Sequence, residues 1–172
     1  GGVGKTTLAR VLFNILCDGF ERFCFLDNVR ERVQKYVIEH LKKELLSKLL
    51  KEEDASSFVT PGGITNFAKR RLSRTKVLVV LDDVNDSDQM EDLCGGHTWF
   101  EASSRIIVTT RDKHVLVKAD ADHIHEVETL NSDDSLRLFS LNAFKQNCNI
   151  EAEQVELSTR VLNYCKGLPF AL

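Results

Sequence analysis

Apolar positions along the chain switch between two spacings. From Thr6 to Leu16 the apolar residues Leu8, Val11, Leu12, Ile15 and Leu16 recur every three or four positions, which predicts an amphipathic helix. Phe23-Cys24-Phe25-Leu26 is a short apolar run of the size of a buried strand. Ile38, Leu41, Leu45, Leu46, Leu49 and Leu50 return to helical spacing. Residues 51–63 are polar and end in Pro61-Gly62-Gly63, which predicts a loop, and Ile64, Phe67, Ala68 and Leu72 predict a third helix. Val77 to Leu81 is apolar at every position, the mark of a strand covered on both faces of a parallel sheet. A short helix near Ser87 to Cys94, a strand from Arg105 to Thr110 and a last short strand from Ile124 to Val127 complete the pattern.

Strands separated by helices mean βαβ units, hence an α/β fold with a parallel sheet and right-handed crossovers. After about Leu130 the pattern is helical only. Ser132 is placed to cap a helix with Asp133 and Asp134 in its first turn and Leu136, Phe139, Ala143 and Phe144 on its apolar side. A second helix is expected near Glu151 to Lys166, stopped by Gly167 and Pro169. The expected division is therefore an α/β part over 1–130 and the start of a helical part over 131–172.

Composition narrows the class. At 172 residues, 42% hydrophobic and 28% charged, the chain is long enough for a real core and unlike a disordered segment. No apolar run approaches a membrane span. The net charge of −3 gives no support for nucleic-acid binding. The one basic cluster, Lys69, Arg70, Arg71, Arg74 and Lys76, reads as the last turn of a solvated helix, with a localisation signal as the alternative. The five cysteines, Cys17, Cys24, Cys94, Cys148 and Cys165, are odd in number, widely spaced and without a CxxC pair, which suits reduced thiols in the cytosol. His123 and His125 would share one strand face, but no third metal ligand is placed beside them.

Two segments carry chemistry. Gly1-Gly2-Val3-Gly4-Lys5-Thr6-Thr7 matches the end of the phosphate-binding pattern GxxxxGK[ST] and opens an amphipathic helix. Glycines let backbone N–H groups turn inward around an anion, and the helix directs its positive end at the phosphates. Lys5 would reach the β- and γ-phosphates, and the Thr6 hydroxyl would ligate Mg²⁺. The second segment, Leu78-Val79-Val80-Leu81-Asp82-Asp83, is a buried strand ending in two carboxylates at the edge where α/β sheets place ligands. Asp82 is positioned to hold Mg²⁺, usually through water, and Asp83 to orient or deprotonate an attacking water. Thr109-Thr110-Arg111 ends a further strand, so Arg111 either senses a γ-phosphate or pairs with Asp112. The guanine-reading Asn-Lys-x-Asp pattern is absent, which favours adenine.

Taken in order, these blocks resemble the NB-ARC module of plant intracellular immune receptors, the nucleotide-binding leucine-rich-repeat proteins. Gly1 to Thr7 resembles the P-loop. Phe25-Leu26-Asp27-Asn28-Val29-Arg30-Glu31 resembles the next block, in the form found in receptors with an N-terminal TIR domain. Leu78 to Val84 resembles the kinase-2 block, Ser104 to Asp112 the Arg-containing sensor block, Leu130 to Phe144 the start of the helical ARC region, and Gly167-Leu168-Pro169-Phe170-Ala171-Leu172 the GLPLAL block. The resemblance implies a three-layer P-loop NTPase fold whose P-loop strand is central, and that strand is expected to be missing here. It implies an ADP-held closed state, exchange for ATP, slow hydrolysis, and a switch in pathogen perception and defence signalling. It places Pro169 near the adenine, Arg111 near the terminal phosphate, and Gly2, Val3, Gly4, Lys5, Thr6 and Thr7 around the phosphates. It also implies a cytoplasmic receptor with TIR and leucine-rich-repeat domains that self-associates on activation.

Two positions depart from the family pattern. Asn85 follows Asp82-Asp83-Val84 where TIR-type members usually have Asp and coiled-coil-type members Trp, and Phe170 stands where Leu is usual. The alternatives are another STAND-class P-loop ATPase or regulator, a turnover enzyme with a second substrate, and a nucleotide-free interaction module. No acceptor site supports the turnover enzyme, and the intact Lys5, Thr6, Asp82, Asp83 and Arg111 speak against the interaction module.

Overall fold

Strand β4 (Val77–Val84) is buried at every position but one because it is flanked on both sides by parallel neighbours. In the computed structural model, which describes residues 1–52, 55–60, 63–95, 98–143 and 160–171, β1 (Arg22–Leu26) pairs along one edge, Arg22 to Leu26 opposite Val77 to Leu81. Strand β5 (Arg105–Thr110) pairs along the other, Arg105 to Val108 opposite Leu78 to Leu81. The order β1-β4-β5 leaves β5 at an edge of the sheet.

Alternation along β1 assigns the two layers of helix. Cys24 and Leu26 face one side and join a core with Leu41, Leu45, Leu46 and Leu49 of α3 (Ile38–Leu50), with Val29 of α2 (Val29–Lys35) and with Leu93 of α5 (Ser87–Cys94). Each such leucine contributes about 1.5–3 kcal/mol through burial. Phe23 and Phe25 face the other side, where both rings meet Phe13 of α1 (Lys5–Leu16) edge-on. Arg10, one turn earlier on α1, lies over the Phe25 ring. The architecture is thus α/β with helices on both faces of a parallel sheet.

Caps explain several boundaries. Thr65 accepts from the Ala68 N–H and starts α4 (Asn66–Leu72). Asp86 does the same for α5 and Asp112 for α6 (Lys113–Lys118). Of the basic cluster, Lys69, Arg70 and Arg71 fall on the last turn of α4, where Arg71 pairs with Glu52 at 2.9 Å, whereas Arg74 and Lys76 follow the helix.

Three sequence expectations need correction. The loop before α4 carries a short antiparallel pair, β2 (Val59–Thr60) with β3 (Gly63–Ile64), so Ile64 is a strand residue and not the start of a helix. Its side chain is buried in the core, and an apolar pair flanking a Pro-Gly-Gly segment is as good a hairpin signal as a loop signal. The strand expected at 124–127 pairs with no described strand. Alternation tells which face a strand presents but not whether a neighbour exists to accept its N–H groups. The cap of α7 (Ser132–Ala143) is Asn131, not Ser132: its side chain accepts from the Asp134 N–H and donates to the Asp134 carboxylate, both at 2.8 Å.

The described residues form two compact units, Thr6–Ile124, and Gly1–Lys5 together with His125–Leu172. In the second, Leu130 N–H donates to Gly167 O at 2.8 Å, and 160–165 are helical. The remainder of the helix expected near Glu151 to Lys166, and Phe144, lie outside the described residues.

Candidate functional site

The phosphate-loop segment has the backbone that its glycines permit. Gly2 and Gly4 have φ of +86° and +92°, a region closed to most side chains. A Cβ on Gly4 would meet nothing within 4 Å, so backbone conformation rather than crowding demands glycine there. Gly2 differs. Its carbonyl accepts the Phe170 N–H at 3.2 Å, and a Cβ would press on the Phe170 Cβ at 3.3 Å. The loop therefore lies beside the short 3₁₀ turn Pro169–Ala171, which brings Pro169 near Gly2. Val3 is half-buried in the same segment, Lys5 begins α1, and Thr7 is exposed in its first turn.

In the larger unit Thr6 meets the end of β4. Its hydroxyl lies 2.9 and 3.1 Å from the two oxygens of Asp82, although 76 residues separate them in sequence. Asp82 is only 1% exposed, so its charge is held by hydroxyl donors, Thr6 and Thr109, the latter at 2.6 Å. Sequence reasoning missed Thr109. It was visible only as a hydroxyl one position before Thr110-Arg111 at a strand end.

Asp83 turns away from Asp82. A bulge between Leu81 and Val84 interrupts the β4–β5 register, and Asp83 sits in it with φ of +57°. Its N–H donates to Thr109 Oγ1 at 2.9 Å. Its carboxylate, 18% exposed, is gripped by residues that follow the two flanking strands: Arg111 Nε donates to Oδ1 and Arg30 Nη2 lies against Oδ2, each at 3.0 Å. Arg111 thus pairs with Asp83 rather than Asp112, whose carboxylate caps α6 through the His114 N–H. Arg30 lies within the Phe25–Glu31 block, and no local signal in the sequence singles it out.

The donor chemistry fits Mg²⁺ and a polyphosphate. Thr6 and Asp82 offer hard oxygens of the kind Mg²⁺ takes, and the left-handed glycines before α1 form a backbone of the type that turns N–H groups toward an anion.

A glycine-rich segment leading into a helix, and a first-turn Thr6 of that helix bonded to a carboxylate at the end of a central parallel strand, define the P-loop NTPase class. A family profile described as "NB-ARC domain" matches residues 1–149, and the chain belongs to that family, a nucleotide-binding one. It is 42% identical over its whole length to "Disease resistance protein RPV1" of Vitis rotundifolia, of which it covers 12%. It is 41% identical to "Disease resistance protein RUN1" of the same species, covering 13%, and 42% identical to "TMV resistance protein N" of Nicotiana glutinosa, covering 15%, again over its whole length. The chain thus spans about an eighth of the length of these relatives.

Proposed function

We propose that this chain is the ADP/ATP switch of a TIR-type plant disease resistance receptor, working in pathogen perception and defence signalling. The observation that carries the reading is the Thr6–Asp82 hydrogen bond, which joins the first turn of α1 to the carboxylate at the end of β4. Gly2, Val3, Gly4, Lys5, Thr6 and Thr7 bind the phosphates, Lys5 supplying the positive charge. Thr6 and Asp82 hold Mg²⁺, which when bound neutralises phosphate charge. Pro169 lies against the adenine, and Arg111 reads the terminal phosphate. Residues 1–130 act as the nucleotide-binding domain and 131–172 as the start of the helical ARC subdomain. TIR and leucine-rich-repeat domains of the parent receptor, and its self-association, convert the bound nucleotide into a signal in the cytoplasm.

Hydrolysis is slow and resets the switch. Asp83 orients the attacking water and takes up its proton. The water oxygen bonds to the terminal phosphorus as the phosphoanhydride bridge breaks, leaving ADP and inorganic phosphate.

The full-length receptor is expected to co-purify with ADP, identified by mass spectrometry after denaturation. Lys5→Ala should weaken nucleotide binding about 10–100-fold, the worth of roughly 1.5–3 kcal/mol for a charged hydrogen bond. Recovery of guanine nucleotide, or of none, would overturn the reading.

A further inference from the structure

Asp83 is the point where three strand ends meet. Arg30 comes from the first turn of α2, just past β1, and Arg111 from the residue just past β5, so the two guanidinium groups flank the end of the central strand. They divide the carboxylate between them, Arg111 on Oδ1 and Arg30 on Oδ2. The pairing is asymmetric in one respect. The Arg111 side chain is 56% exposed and Arg30 36%, and Arg30 is anchored beside Val29, which is fully buried in the core. A carboxylate held by Arg111 alone would lose its aim whenever Arg111 turned to another anion. With Arg30 in place, one oxygen stays tethered.

We propose that Arg30 is the positioning residue for Asp83: it keeps the carboxylate aimed when Arg111 exchanges Asp83 Oδ1 for the terminal phosphate of bound nucleotide. The proposal rests on the nucleotide-switch reading. Arg111 then has two anionic partners that compete for it. The Asp83 backbone supports the same role, since its left-handed conformation and its N–H bond to Thr109 already fix where the side chain begins. Arg30 fixes where it ends. In this scheme Arg30 touches neither nucleotide nor water, so its loss should spare binding and slow hydrolysis.

The test uses the full-length receptor with Arg30→Gln, Arg30→Lys, Asp83→Asn and the Arg30→Gln/Asp83→Asn double variant. Calorimetric titration with ADP and with the slowly hydrolysed analogue ATPγS should give dissociation constants within about threefold of wild type for both Arg30 variants. Single-turnover hydrolysis of ATP should fall about 10–100-fold in Arg30→Gln, as misplacing a reacting group does, and recover in part in Arg30→Lys. The double variant should hydrolyse no more slowly than Asp83→Asn. Without nucleotide, the drop in melting temperature caused by Arg30→Gln should vanish in the Asp83→Asn background. Unchanged hydrolysis in Arg30→Gln, an equal drop in the Asp83→Asn background, or binding weakened as much as hydrolysis would overturn the proposal. A wild-type receptor that binds neither nucleotide would overturn the nucleotide reading and this inference together. Wild-type binding with unchanged Arg30→Gln hydrolysis would overturn this inference alone.

Discussion

The Thr109 hydroxyl donates to Asp82 Oδ1 at 2.6 Å and at the same time accepts the Asp83 N–H at 2.9 Å. One β5 side chain thereby sets the direction of both carboxylates at the end of β4. Asp82 is held toward Thr6, and the backbone of Asp83 is pinned in the bulge from which its side chain reaches the two arginines.

Thr109→Val keeps the shape and removes both bonds, leaving a buried carboxylate short of a donor. The expected loss is about 1–3 kcal/mol of stability. Thr109→Ser, which keeps the hydroxyl, should lose less than half as much. Urea denaturation of both variants checks this, and equal losses would show that the methyl group, not the hydroxyl, matters.

Asp82→Ala should weaken Mg²⁺-dependent ATP binding more than ADP binding, since more phosphate charge then goes without its metal. Asp83→Ala should leave binding in place and slow hydrolysis, prolonging the ATP state. Titrations with each nucleotide at fixed Mg²⁺ separate the two roles, and equal effects of both changes on both affinities would refute the division.

Gly95 combines two requirements for glycine. Its φ is +62°, and a Cβ built on it would lie inside the Trp99 indole. Gly95→Ala should cost about 2–4 kcal/mol, the sum of a left-handed alanine and an overpacked core. Trp99 is the chain's single tryptophan and is buried, so its emission should shift to the red as the ring is pushed toward solvent. An unshifted spectrum at wild-type stability would show that the helix end relaxes around the added methyl.

Glu44 accepts from Lys48 at 2.7 Å and pairs with Arg32. Burial works to raise its carboxyl, but the hydrogen bonds from Lys48 and Arg32 outweigh it and hold it below the ordinary value of 4.5. A depressed carboxylate contributes stability above its unfolded value, and that contribution is lost as pH falls through the folded value. Glu44→Gln should therefore cost on the order of 0.5–1 kcal/mol at pH 7. The gap to wild type should close as the pH is taken below about 4.5. A gap that persists at pH 3 would assign the effect to packing.

The apolar stripe of α1 is exposed: Leu8, Val11, Leu12 and Leu16 at a third or more, Ile15 at 68%. Strand β5 also offers an edge unpaired among the described strands. Residues 1–172 in isolation should therefore self-associate at micromolar concentration. Val11→Lys with Ile15→Glu should restore a monomer on gel filtration, and this background is the one in which the stability measurements above are best made. A wild-type chain that is already monomeric would sink the prediction.

The helices from Lys5, Ile38 and Ser87 and the strands at β1, β4 and β5 were legible in the sequence because each is written in a local spacing of apolar residues. So was the grouping of Gly4, Lys5, Thr6 and Asp82 as candidates for one site, because phosphate and Mg²⁺ demand residue types that few other tasks need together. What the sequence could not show is which strand ends meet. Thr109 and Arg30 acquire their partners only because parallel pairing sets β1, β4 and β5 side by side and running the same way. The same limit explains 124–127, whose alternation suits a strand but whose backbone has no described strand beside it. It also explains α1, whose stripe specified a face and not what covers it. Residue spacing encodes what a segment can bury, and only tertiary pairing supplies the neighbour.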